Sequence, residues 1–215
     1  MPTKSISQPT NARSRRSRVE LLAAARQILE TDGFEALTMA AVAERAGLTR
    51  RAVYLHFASR AEMVGALFDA VAAAEGLDGS LQPVWDAPDA ASALDEWAAH
   101  LARYHPRLLA VDRAVERVRH VDPDAAAHRR RVVAAKLANC QRLADRLHRE
   151  GVLAPAWTTD TARDMLFALI SSDMVEALIR DRRWTRLRLA EHLGVLFRST
   201  FVTAPRRTGS GSRSR

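Results

Sequence analysis

"AGLTRRAVYLHF", residues 46–57, sets a glycine and a threonine directly ahead of two arginines, a tyrosine and a histidine. Glycine adopts the left-handed backbone that ends a helix at no steric cost, and a threonine at the next helix start accepts a bond from an otherwise orphaned amide. The run is therefore predicted to be a tight turn followed by a short helix. Val53 and Phe57 stand one helical turn apart, so if they face inward, Arg50, Arg51 and Tyr54 emerge on the opposite side near the N-terminal end. In a helix-turn-helix that end enters the major groove, where an arginine can pair two donors with O6 and N7 of guanine, about 1–3 kcal/mol of discrimination.

The flanking sequence supplies the other helices of such a head. A first helix is predicted over 18–31, closed through Gly33. Thr38 caps a second one, "MAAVAERA", that Gly47 ends, and Thr49 caps the third. "SRAE" at 59–62 reads as a capping box that opens a fourth helix running to about Glu75. Thr38, Thr49, His56 and Arg60 lie where helix starts would meet DNA phosphates.

Beyond a connector, "GLDGSLQP", apolar residues recur at helical intervals over 89–104, 106–119, 122–150, 159–181 and 185–202. The expected fold is all-α, about nine helices, with no sheet. Its domains are expected to be a disordered basic arm at 1–17, a DNA-binding head at 18–75, a helical effector-binding and dimerisation domain at 76–203, and a disordered basic tail at 204–215.

The formal net charge of +8 sits at the two ends. Five basic residues among the first 18 and four among the last 11, with no acid in either stretch, leave the body near neutrality. Arg13, Arg15, Arg16 and Arg18 would follow a phosphate strand or enter a minor groove, unless the arm only solubilises. One cysteine, Cys140, rules out an internal disulfide and reads as a small buried side chain. No pair of histidines has a helical metal-site spacing, and no phosphate loop, nucleophile elbow or acid–base pair stands out. No enzymatic chemistry, cofactor or metal is expected. With no membrane-spanning run and no leader-like segment, the chain is expected to be soluble and cytoplasmic.

Residues 25–68, "ARQILETDGFEALTMAAVAERAGLTRRAVYLHFASRAEMVGALF", resemble the DNA-binding domain of the TetR family of bacterial transcriptional regulators. The matching features are Gly33-Phe34, Thr38, Val42-Ala43, Ala46-Gly47-Leu48-Thr49, Tyr54, His56-Phe57, and Ser59 with a basic residue at 60. Arg60 departs mildly from the lysine common there, and Arg51 departs from the small residue often found at its site. The resemblance implies that Arg50, Arg51, Ala52 and Tyr54 face base edges of a palindromic double-stranded operator, while Thr38, Thr49, His56 and Arg60 hold phosphates. Ala40, at a site that reads a base in some relatives, is silent.

The resemblance also implies a homodimer and a small-molecule effector, largely apolar. Two wide apolar helices resemble the family's dimer pair, with Met165, Leu169, Ser172, Leu189, Leu193, Leu196 and Phe197 at the interface. Trp97, Leu101, Tyr104 and Phe167 are candidates to line the effector pocket. Two other readings stay open on the sequence: a DNA-organising protein with the same head and no effector, and an all-helical ligand carrier or enzyme whose helix-turn-helix is coincidental.

Overall fold

The computed structural model describes residues 12–203. Among them it contains ten α-helices, one π-helical turn and a single isolated β-bridge between Leu153 and Val202. In chain order the helices are α1 (Ala12–Thr31), α2 (Met39–Arg45), α3 (Arg50–His56), α4 (Arg60–Ala74), α5 (Leu77–Asp86), α6 (Ala90–Val118), α7 (Pro123–Arg149), α8 (Thr159–Ala168), α9 (Ser172–Glu176) and α10 (Arg186–Phe201). The π-helical turn is Ala177–Asp181. No helix among the described residues is long and apolar enough to cross a membrane.

The residues divide into two compact units. Among the described residues one comprises 12–80 together with Arg103–Lys136, and the other Leu81–Ala102 together with 137–203. The expected boundary after residue 75 is thus not a simple cut, because α6 and α7 each contribute to both units. In the first unit Leu21 and Ile28 of α1, Val42 of α2, Val53 and Phe57, and Met63 and Leu67 of α4 share a core with Val111, Val115 and Val118 of α6. In the second, Leu94, Trp97 and Leu101 of α6 pack with Cys140, Leu143 and Leu147 of α7, Leu166 of α8, and Leu189, Phe197 and Phe201 of α10.

Several expected boundaries move, each for a local reason. α1 begins at Ala12, six residues ahead of its expected start, since Arg13, Arg15 and Arg16 are good helix formers that face solvent and leave no apolar periodicity to read. The expected connector holds most of α5 instead: Leu81, Val84 and Trp85, at helical spacing, face the second core despite Gly79 and Pro83. α6 passes through Pro106 unbroken, with buried Leu101, Tyr104 and Leu109 on either side of it, so packing outweighs the missing hydrogen bond. The helix expected over 159–181 breaks after Ala168. There the Ser171 hydroxyl accepts from the Met174 amide and starts α9 anew.

In the first unit, α7 meets α4 through rings and a guanidinium. The His128 imidazole stacks on Phe68 at 3.3 Å between centroids. Gly65 leaves room for Arg131, whose Nη1 lies 3.2 Å from where a β-carbon would stand. Burial, with Arg131 and Arg129 adding repulsion, lowers the His128 pKa to about 3. The folded protein therefore holds His128 neutral, whereas the unfolded chain takes up a proton below pH 6.5. Stability is expected to fall by about 2 kcal/mol as pH drops from 6.5 to about 5. His128→Phe should flatten that slope in urea titrations across the range; an unchanged slope would assign it to other groups.

Candidate nucleic-acid interface

The interface is built by backbone chemistry at a glycine turn and three caps. At the end of α2 the Gly47 amide donates to the Glu44 carbonyl and the Leu48 amide to Ala43, which closes the helix around a left-handed Gly47 at φ 65°. The next residue but one restarts it: the Thr49 hydroxyl accepts from the Ala52 amide at 3.2 Å. Thr38 caps α2 in the same way through the Ala41 amide. Ser59 caps α4, and Glu62 reaches one residue farther back than a capping box requires, accepting from the Ala58 amide at 2.7 Å.

Three side chains anchor α3 from below: Val53 and Phe57 are fully buried and His56 nearly so. Arg18 of α1 clasps its far end, donating to the His56 carbonyl at 3.1 Å while its guanidinium lies over the Phe57 ring. Arg50, Arg51 and Tyr54 are then exposed and Ala52 half-exposed, so the expected base-edge residues share the outward face of one short helix. Thr38 and Thr49 are exposed at the starts of α2 and α3. Each hydroxyl oxygen is used as a cap, and its proton stays available to a phosphate oxygen.

Two expected phosphate ligands are placed elsewhere. His56 is only 6% exposed, and its Nδ1 has no partner among the described residues. Burial, then repulsion from Arg18, lowers its pKa, so it is a neutral core imidazole on the same inner arc as Val53 and Phe57. Arg60 is committed internally. Its Nε donates to the Leu37 carbonyl at 2.7 Å and its Nη2 to Phe34 at 3.2 Å, and its guanidinium pairs with Asp122 at 3.0 Å and Asp124 at 2.7 Å. Burial opposes the charge, but the hydrogen bonds to both aspartates outweigh it and raise the Arg60 pKa. Arg18, expected in the arm, is likewise spent on α3. Arg13, Arg15 and Arg16 remain exposed on the first turns of α1, which are helical where a disordered arm was expected. Residues 1–11 of the arm and 204–215 of the tail lie outside the described residues.

The second unit corrects other expectations. Leu189, Leu193 and Phe197, expected at a dimer interface, are buried in the core of the single chain. Met165 and Leu196 are exposed, and Leu169 and Ser172 half-buried. Leu187 and Val195 are more exposed than either. Trp97 and Leu101 are fully buried in the second core and Phe167 packs against it. Tyr104 belongs to the first unit, where burial, then Asp112, Glu75 and Asp78, pushes its phenol up to about 12.

Residues 21–67 match the family described as bacterial regulatory proteins, tetR family. Over 62 residues, 29% of the chain, the sequence is 37% identical to the HTH-type transcriptional regulator TtgR and equally to the probable HTH-type transcriptional regulator ArpR, both of Pseudomonas putida. The matched stretch spans 30% of the length of each of those relatives. Among solved structures, native NalD, the secondary repressor of the MexAB-OprM multidrug efflux pump in Pseudomonas aeruginosa, superposes with a TM-score of 0.67 at 21% identity, covering 92% of this chain and all of that one. A SmeT–triclosan complex superposes at 0.69 and 19% identity, over 87% of this chain and 92% of that one. A putative regulator from Saccharomonospora viridis in complex with choline gives 0.66 and 15%, over 88% of this chain and all of that one. At these identities the likeness concerns the fold.

The Arg60 geometry predicts its own cost of removal. Arg60→Ala strips two carbonyls and two carboxylates of a part-buried donor and should destabilise the protein by about 2 kcal/mol. Arg60→Lys, which keeps the charge without the fork, should recover only part of it in the same denaturant titration. A loss of a few tenths from Arg60→Ala would mean the network is too solvated to matter.

Proposed function

We propose that this chain, whose residues 21–67 match the tetR family of bacterial regulatory proteins, is a member of that family and a homodimeric cytoplasmic DNA-binding regulator, a repressor that leaves a palindromic operator when a small, largely apolar molecule binds. The observation that carries the reading is α3. Its inner side chains are buried, its far end is held by Arg18, and Arg50, Arg51, Ala52 and Tyr54 are turned outward together. Such a face suits the major groove, with Thr38, Thr49 and the exposed arginines of α1 on phosphates.

Dimerisation follows from how little one such helix reads: two copies related by a two-fold axis double the contacts and require half-sites about one helical turn, or a multiple, apart. The exposed apolar side chains of α8 and α10, Met165, Leu187, Val195 and Leu196, supply the candidate self-complementary surface. Effector control is supported by the relatives with a similar fold: the SmeT structure contains triclosan and the Saccharomonospora viridis regulator contains choline. A ligand releases DNA only if it binds the DNA-competent and DNA-free conformations with different affinity. Because α6 and α7 contribute to both units and Arg60 joins α4 to the turn between those helices, displacement of that turn is the route by which α4, and α3 with it, would move.

Selection from a random DNA pool at near-physiological salt tests the reading. The expected product is a palindrome, and Arg51→Ala should weaken binding to it at least tenfold and relax the preference at one base pair per half-site. Weak binding without a motif that vanishes with added salt would overturn the proposal in favour of electrostatic attraction alone.

A further inference from the structure

Leu55 lies on α3 and is 51% exposed, about as open as Tyr54 at 54%. It is absent from the side chains that pack on the first core, although Leu48, seven residues earlier, is among them. An isolated exposed leucine is unremarkable on a protein surface. This one is defined by its position. With 100° between successive residues, buried Val53, His56 and Phe57 mark the inner arc of α3, and the direction opposite them falls between Arg51 and Leu55. These two residues, four apart, form one row along the middle of the outward face, with Tyr54 on one side and Ala52 on the other.

We propose that Leu55 is a specificity-determining residue that covers the 5-methyl group of a thymine in the same half-site as a guanine read by Arg51. The inference rests on the reading in which α3 enters the major groove. In that groove the thymine methyl is the most prominent apolar feature among edges that otherwise present mainly donors and acceptors. Leucine can neither donate nor accept, so against any other base edge it would strip water from polar atoms without replacing the bond. Tyr54 does not compete for this role on equal terms, since its hydroxyl needs a partner wherever it is desolvated. Four residues of helix advance about 6 Å, and successive base pairs are about 3.4 Å apart. The guanine and the thymine therefore stand roughly two base steps apart where the helix follows the groove.

The test replaces thymine by uracil, which removes the methyl group and leaves every hydrogen-bonding atom. With the full chain and a palindrome selected from the random pool, each thymine of the half-site is replaced symmetrically and affinity is measured at fixed salt. One thymine should carry a penalty of about fourfold per half-site, about fifteenfold for both. Leu55→Ala should weaken binding to the thymine operator by a similar factor and show no further loss on the uracil one, and its thermal midpoint should match the parent's because the side chain is outside the core. Indifference of the parent protein to uracil at every position, or a full uracil penalty retained by Leu55→Ala, overturns the role of Leu55 and leaves the regulator reading intact. A pool that yields no motif overturns the regulator reading, and this inference with it.

Discussion

The Arg60 guanidinium donates to acceptors that the chain places far apart: the carbonyls of Phe34 and Leu37 ahead of α2, and the carboxylates of Asp122 and Asp124 at the turn between α6 and α7. Asp122 is shared, because its Oδ1 also accepts from the Asp124 and Ala125 amides and so caps α7. One fork thus ties three chain segments, and arginine suits it where lysine would not, since its donors diverge in a fixed plane. The opposite end of α4 is held by charge as well: Glu75 accepts from Arg26 of α1 at 3.0 Å and lies 3.9 Å from Arg107 of α6. With α4 pinned at both ends, Met63 and Leu67 present a fixed floor to α1, α2 and α3.

That floor matters because α3 has only seven residues. An isolated helix of that length does not form in water, where nucleation costs more than so few bonds return. Its order is borrowed from Val53 and Phe57 below, Thr49 at one end and Arg18 at the other. The outward side chains consequently stand on a backbone that has already lost its freedom. On the proposed reading, DNA meets a preorganised face and only the arginine, tyrosine and leucine rotamers remain to be ordered.

What the sequence discloses here is local. Gly47 with Thr49, Thr38 and Ser59 act within five residues of themselves, so their spacing alone locates α2, α3 and the start of α4. Arg60 acts on partners 62 and 64 residues away, and nothing near it in the chain distinguishes a phosphate ligand from an internal fastener. His56 is the same problem on a smaller scale: its polarity points to a phosphate, while its angle on the helix places it on the inner arc with Val53 and Phe57. In the second unit, apolar richness marked α8 and α10 without saying which leucines fill the core. Leu189 and Leu193 do, while Leu187 and Val195, of the same chemical kind, do not. Hydrophobicity orders residues by what they prefer; the surface each one keeps is decided by neighbours from other helices.

A charged fastener also has a consequence that an apolar one lacks. Two apolar surfaces separated by a small shift lose contact gradually, whereas a bidentate guanidinium–carboxylate pair is sensitive to angle and distance over tenths of an ångström. Its partly exposed members can exchange their bonds for water, so separation leaves no buried orphan charge to forbid the second arrangement. Arg60 and Asp122 are each about one-fifth exposed, which puts them in that intermediate regime: desolvated enough for the bond to count, wet enough for it to open. On the proposed reading, a ligand that displaced the turn between α6 and α7 would break the Arg60 bonds over a short distance, and α4 would be released abruptly rather than by degrees, which is the behaviour a reciprocal coupling between a ligand and DNA draws on.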